Sequence, residues 1–188
     1  MKQPITTIIL AGGQGQRFNQ QDKGLVIWRG KKLVQYVIDQ MEPQCQQIII
    51  NCNRNIERYQ QLGFPLTHDE LDGFQGPLAG IQASLPLATH QWALVCACDT
   101  PLLPQHLATT LLQAASSQQA DIAYPLAHNR QHYLPVLLKR SLLNDINRYL
   151  ANGERSLKGW YQTMNTVAVP FTAEKAAFSN FNVPEDLL

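Results

Sequence analysis

The sequence lacks an excess of charge. Fifteen Lys and Arg stand against 14 Asp and Glu in 188 residues, a net charge of +1. No strong field exists to recruit nucleic acid or an anionic membrane surface, so neither is expected as a partner. Long apolar runs are missing too. None approaches the roughly 20 residues that span a bilayer, and the opening MKQPITTIIL runs into glycines too soon to act as a signal peptide. Cys45, Cys52, Cys96 and Cys98 form no C-x-x-C unit and fit no zinc spacing. Cys96 and Cys98 lie in an apolar stretch, where small buried thiols are the ordinary outcome. These absences describe a cytoplasmic protein with reduced thiols. Internal repeats and low-complexity linkers are absent as well, so one domain over residues 1–188 is expected, large enough to bury its own core.

What is present is an alternation of strand and helix patterns, which predicts an α/β fold with a mainly parallel sheet. Short apolar runs at 6–10, 48–50 and 92–97 read as buried parallel strands, with a further short strand at 65–68. Later strands are expected at 121–124, 133–138, 166–169 and 178–181. Helical spacing of apolar residues predicts helices over 31–41, 56–62, 78–87, 104–115, 140–150 and 156–162, and the closing PEDLL also reads as helical.

The most informative segment is LAGGQGQRFNQQDKG at 10–24. A strand runs into closely spaced glycines, then Arg17, then Lys23. Glycine permits a sharp turn and close approach of backbone to a ligand, and N–H groups exposed there bind phosphate oxygens. Arg17 and Lys23 add positive charge, which suits holding a triphosphate and offsetting charge as it is cleaved. A plain strand-to-helix turn would use the same glycines. Two better-known loops are excluded. Lys23 follows Asp22 and precedes Gly24, so this is no P-loop. Gly13 and Gly15 begin a dinucleotide fingerprint, but Phe18 takes its last position, which argues against a redox enzyme.

After the 92–97 run comes Cys98-Asp99-Thr100-Pro101. A carboxylate just past a central strand faces the crevice where open α/β sheets bind ligands. Mg2+ prefers hard oxygen donors and is commonly held by one or two carboxylates plus substrate phosphates. Asp99 is therefore the metal-ligand candidate, with a plain turn or helix cap as the alternative. Arg155 and Lys158 in GERSLKG are candidates for an anionic acceptor, as are Arg130 and His132 before a strand.

The pattern L-A-G-G-x-G-x-R, five residues, then K-G, resembles the signature of nucleotidyltransferases that activate sugars, alditols and cofactors. Their fold is a three-layer α/β/α sandwich, Rossmann-like, with a mostly parallel central sheet. With NCNRN from Asn51, HDE around Asp69, GPLAG at 76–80, CDTP, ANGERSLKGW at 151–160 and NFNVPEDL from Asn180, nearly the whole chain is similar to the molybdenum cofactor guanylyltransferase family. Lys32 departs from the proline often found after G-K, and Tyr133-Leu134-Pro135 replaces a compact H-P-T element in the acceptor half.

The resemblance implies transfer of GMP from GTP to molybdopterin, with or without its metal, with Mg2+ as cofactor. GTP and Mg2+ would sit in the N-terminal half and the acceptor in the C-terminal half. Leu10, Ala11, Gly12 and Gly13 would meet the nucleotide through backbone groups, Lys23 through its ammonium, and Asn51 and Asp69 at the GTP moiety. Asp99 would bind both nucleotide and metal. Asn182 would assist at the metal, with Asn180 as the alternative. Molybdenum-insertion proteins and molybdoenzyme apoproteins are the implied protein partners. A carboxylate and an amide also suit guanine, since one accepts from N1–H and the 2-amino group and the other both donates and accepts. Transfer from CTP, a sugar or alditol phosphate acceptor, and a non-catalytic nucleotide-binding adaptor are the rival readings.

Overall fold

The computed structural model describes residues 2–12, 22–70, 75–172 and 175–181. Its first strand, β1 (Gln3–Leu10), buries Ile5 through Ile9 without a break, as a strand covered on both faces must. Around it lie β4 (Cys45–Asn51), β5 (Leu66–Thr67), β6 (Trp92–Ala97), β7 (Ile122–Ala127), β8 (Arg130–Gln131), β9 (Val136–Lys139) and β10 (Thr166–Pro170), in the order β10-β7-β9-β6-β1-β4-β5 with β8 beside β7. Strand β9 runs antiparallel to both β6 and β7, and β8 antiparallel to β7. The other six strands therefore point one way, and the expected mostly parallel sheet is present.

Alternation along the strands sends side chains to two helical layers. Ile5, Ile9, Leu94 and Cys96 pack with Val34, Val37, Ile38 and Met41 of α1 (Leu33–Met41) and with Leu107 and Leu111 of α4 (Leu107–Ser117). Ile8, Ala93 and Val95 face the other way, onto Leu78 and Ile81 of α3 (Pro77–Ser84), Ile146 and Leu150 of α5 (Leu143–Ala151) and Trp160 of α6 (Leu157–Tyr161). Each fully buried aliphatic side chain contributes about 1.5–3 kcal/mol, so these two faces dominate the fold. The short α2 (Ile56–Gln60) buries Tyr59. All four cysteines are buried and free, Cys96 and Cys98 as their apolar stretch suggested. No helix among the described residues is long and apolar enough to cross a membrane.

Several element boundaries differ from the sequence expectation. Residues 31–32 do not begin a helix. Lys31–Lys32 forms β3, paired antiparallel with β2 (Ile27–Trp28) across Arg29 and Gly30, both at positive φ. That is the left-handed pair a two-residue hairpin turn requires. Leu107 N–H bonds the Pro104 carbonyl, so α4 starts three residues later than expected. α3 ends at Ser84, where a 3-10 turn at Leu85–Leu87 follows it, and another at Arg140–Leu142 precedes α5. Strand β9 begins only after Pro135, which has no N–H for a ladder. Residues 178–181 are not a strand: Lys175–Phe178 is a 3-10 turn, and the Phe181 N–H bonds the Asp99 carbonyl at 2.9 Å. The closing PEDLL lies outside the described residues.

Candidate active site

Four parallel strands end flush. Leu10 at the end of β1 pairs with Asn51 on one side and Ala97 on the other, and Asn51 pairs with Thr67. Ladder bonds run one residue further, from Ala11 N–H to Asn51, Cys52 N–H to Thr67 and Cys98 N–H to Leu10. One more step along each chain gives Asp69, Asn53, Gly12 and Asp99, each two residues past the row. The register of the sheet thus delivers two carboxylates, an amide and a bare backbone to the carboxyl edge, where open α/β sheets bind ligands.

On the β4–β5 side, the Asp69 carboxylate accepts from Asn51 Nδ2 at 3.1 Å and from Asn53 Nδ2 at 2.8 Å, one on each oxygen. Asn53 Oδ1 accepts from the Asp69 N–H at 2.8 Å, so Asn53 grips Asp69 at two points. Asn51 is almost wholly buried and also reaches Thr67 Oγ1 at 3.4 Å. Glycines make this packing fit. A Cβ on Gly12 would lie 2.7 Å from Asn53 Nδ2, and one on Gly80 would lie 2.6 Å from Asn51 Oδ1 and 2.9 Å from Leu10 Cδ2. The sequence shows Asn53 within NCNRN, but its role follows only from the pairing of β4 with β5.

On the β6 side, Lys23 Nζ donates to Asp99 Oδ2 at 3.2 Å. Asp99 is 5% exposed. Burial pushes its carboxyl up from the ordinary carboxylate value; Lys23 and a hydrogen bond from Asn180 oppose that without reversing it. The Thr100 hydroxyl donates to the Ala97 carbonyl at 2.8 Å and closes the turn that presents Asp99. Phe181 then anchors the chain beyond Asn180: its ring lies 5.0 Å from that of Trp28, in a small cluster with Leu33. Among the described residues no group of three or more His, Cys, Asp or Glu could hold a metal on its own. Asp99 is the one described carboxylate of the β6 edge, and it is paired with Lys23.

The candidates for an acceptor are placed differently. Arg155 donates to Gln75 Oε1 at 2.5 Å and to the carbonyls of Leu150 and Glu154 at 2.8 and 2.7 Å, bracing the α5–α6 turn against the chain entering α3. Lys158 is exposed on α6, and Arg130 is exposed on β8. The His132 ring packs 5.1 Å from Phe178, and burial, then Arg130 and His128, lower its basicity. None of these touches the Lys23–Asp99 or Asn51–Asp69 pair. Gly13, Arg17 and Asn182 lie outside the described residues.

The profile of the MobA-like NTP transferase domain matches residues 7–167. A molybdenum cofactor guanylyltransferase of Haemophilus influenzae is 39% identical over 183 residues, covering 97% of this chain and 95% of that protein. One of Pasteurella multocida is 40% identical over 183 residues, covering 97% of each. The crystal structure of molybdopterin-guanine dinucleotide biosynthesis protein A from Archaeoglobus fulgidus superposes with a TM-score of 0.79 at 26% identity, over 97% of this chain and 94% of that one.

Proposed function

Since the chain belongs to the MobA-like NTP transferase family, we propose that it transfers GMP from GTP to molybdopterin or its molybdenum-loaded form, releasing pyrophosphate. The observation that carries this reading is the flush row of strand ends. It sets a cation–carboxylate pair, Lys23 with Asp99, and an amide–carboxylate pair, Asn51 with Asp69, on either side of the Leu10–Gly12 backbone. A triphosphate needs the first and a purine with N–H donors suits the second.

The reaction is an in-line displacement. A terminal phosphate oxygen of the acceptor attacks the α-phosphorus of GTP, and the bond to the β-phosphate bridging oxygen breaks. The electron pair leaves with pyrophosphate. The attacking oxygen is already ionised, so no protein base or nucleophile is needed. Positioning and electrostatics carry the catalysis. In this reading Lys23, with Arg17 and the N–H groups of the glycine-rich loop, stabilises the charge that builds on the phosphates. Asn51 and Asp69 orient the nucleoside. Mg2+ fits the donor set: Asp99 would hold it together with phosphate oxygens, and it would neutralise charge on the departing pyrophosphate. Asn180, which hydrogen-bonds Asp99, would orient that carboxylate. The acceptor belongs to the C-terminal half of a single cytoplasmic domain, delivered free or on a metal-insertion protein or apoenzyme.

Pyrophosphate release from each of the four nucleoside triphosphates, with molybdopterin and Mg2+, tests this. The expected result is turnover with GTP, loss of turnover in Asp99→Ala with retained fold, and a loss of about 10²–10³-fold in Lys23→Ala, the usual worth of one preorganised donor. A response to CTP alone would refute guanylyl transfer. Near-normal turnover by Asp99→Ala would refute the metal assignment.

A further inference from the structure

The residue before the active-site lysine is a buried carboxylate that no step of the reaction uses. Asp22 is 8% exposed. Its Oδ1 accepts from the Tyr59 hydroxyl at 2.7 Å and its Oδ2 from Asn55 Nδ2 at 3.0 Å. Both donors are neutral, while the neighbouring cation, Lys23, reaches instead to Asp99. A carboxylate held by neutral groups is a costly way to fill a buried position, and an uncharged side chain would serve the fold better.

The partners are themselves arranged for this contact. Tyr59 has no exposed surface, and burial pushes its hydroxyl far above the ordinary phenol range, so it stays a donor. Asn55 sits at the N-cap of α2 with φ +53, yet its side chain makes no capping bond and turns to Asp22. An amide at that position ordinarily bonds the first N–H groups of the helix, so its diversion is a preference for the other contact. The Asp22 carbonyl accepts from Leu25 N–H at 3.0 Å and opens the 3-10 turn Lys23–Leu25. Gly24 then packs against Tyr59 and Cys98, where a Cβ would lie 3.2 Å from Cys98 Sγ. Lys23 is thereby fixed on both sides, by Asp22 before it and Gly24 after it.

We infer that Asp22 is a positioning residue: clamped by Tyr59 and Asn55, it holds Lys23 at the place where the triphosphate is cleaved. The inference rests on the role of Lys23 in the proposed transfer. Misplacing a catalytic group by about 1 Å typically costs about 10²-fold, so the effect belongs in turnover rather than in stability.

The test is a double-mutant cycle on kcat/KM with Asp22→Asn and Lys23→Ala, with Tyr59→Phe as a second, milder break of the clamp. Asp22→Asn should lose about 30-fold and Tyr59→Phe about 5-fold, both mainly in kcat, each measured on folded protein with its Tm recorded. Lys23→Ala should cost far less in the Asp22→Asn background than alone, because the lysine there is already misplaced. Full additivity of the two losses overturns the inference, as does a drop in Tm with unchanged kcat in both clamp variants. If Asp22→Asn does not fold, the same cycle with Tyr59→Phe decides. The cycle uses whichever triphosphate the wild-type chain turns over, or the Kd of a fluorescent GTP analogue if it turns over none. Failure of guanylyl transfer thus shows in the wild type, and failure of the clamp only in the variants.

Discussion

Burial pushes the Asp99 carboxyl up, and the Lys23 ammonium and Asn180 bring it only part of the way back. A carboxylate whose folded pKa lies above its unfolded one destabilises the fold when charged. The penalty is fully present above the raised folded value and is relieved as pH falls through it. Asp99→Asn, which keeps the shape and removes the charge, should therefore melt higher than the parent at pH 7 while losing transfer. For a chain of this size each 1 kcal/mol is about 2–4 °C in Tm. The advantage should shrink as the pH is lowered through the raised folded value, below which the parent also carries a neutral group. Calorimetry at several pH values checks it. A lower Tm for Asp99→Asn at pH 7 would mean that the pair with Lys23, whose side chain is 23% exposed, outweighs burial. The same residue was legible from sequence, because a carboxylate after an apolar run needs only the strand to be right. Asp22 was not legible. Its partners lie 33 and 37 positions away, and nothing local marks them.

At the scale of elements, the runs covered on both faces declared themselves: Trp92–Ala97 is a strand over its full expected length, and β1 and β4 extend the apolar cores read at 6–10 and 48–50. What escaped were elements held by long-range bonds rather than by their own pattern. The β2–β3 hairpin has only two residues a side. The segment 178–181 carries two aromatics that suggest a strand, yet its Phe181 is an anchor: the ring enters the Trp28 cluster and the N–H bonds the Asp99 carbonyl. Asn53 shows the same limit, since its grip on Asp69 depends on sheet register. The anchor is testable. Phe181→Ala opens a cluster at the periphery, apart from the two large cores, so it should lower Tm by only a few degrees. It should cost about tenfold in kcat/KM for the nucleotide, since Asn180 loses its hold beside Asp99. Phe181→Leu should restore most of the activity. A large fall in Tm with unchanged kinetics of the folded enzyme would make Phe181 part of the fold alone.

For the molecule as a whole, a net charge of +1 gives no general attraction for nucleotides, so affinity and choice must come from the strand ends themselves. Ligand that binds only the folded chain adds stability by mass action, about 2.7 kcal/mol at a hundredfold excess over Kd. That is roughly 5–11 °C in Tm for a chain of this length. Phosphates alone would give this shift for every nucleoside triphosphate. The corner of Asn51, Asn53 and Asp69 should not. Each carboxylate oxygen of Asp69 has accepted one amide N–H and keeps a lone pair, so the corner offers acceptors to a base edge rich in donors, as guanine is at N1–H and the 2-amino group. Cytosine presents a ring-nitrogen acceptor and a carbonyl there, which would face the carboxylate unpaired. With Mg2+ present, GTP should therefore raise Tm by several degrees more than CTP at equal concentration. In Asp69→Asn, which swaps one acceptor for a donor, that difference should collapse while the shift common to all four triphosphates remains. Equal shifts for GTP and CTP in the parent chain would show that the corner orients the sugar or braces the sheet edge. The choice of base would then have to be made by the backbone of the glycine-rich loop.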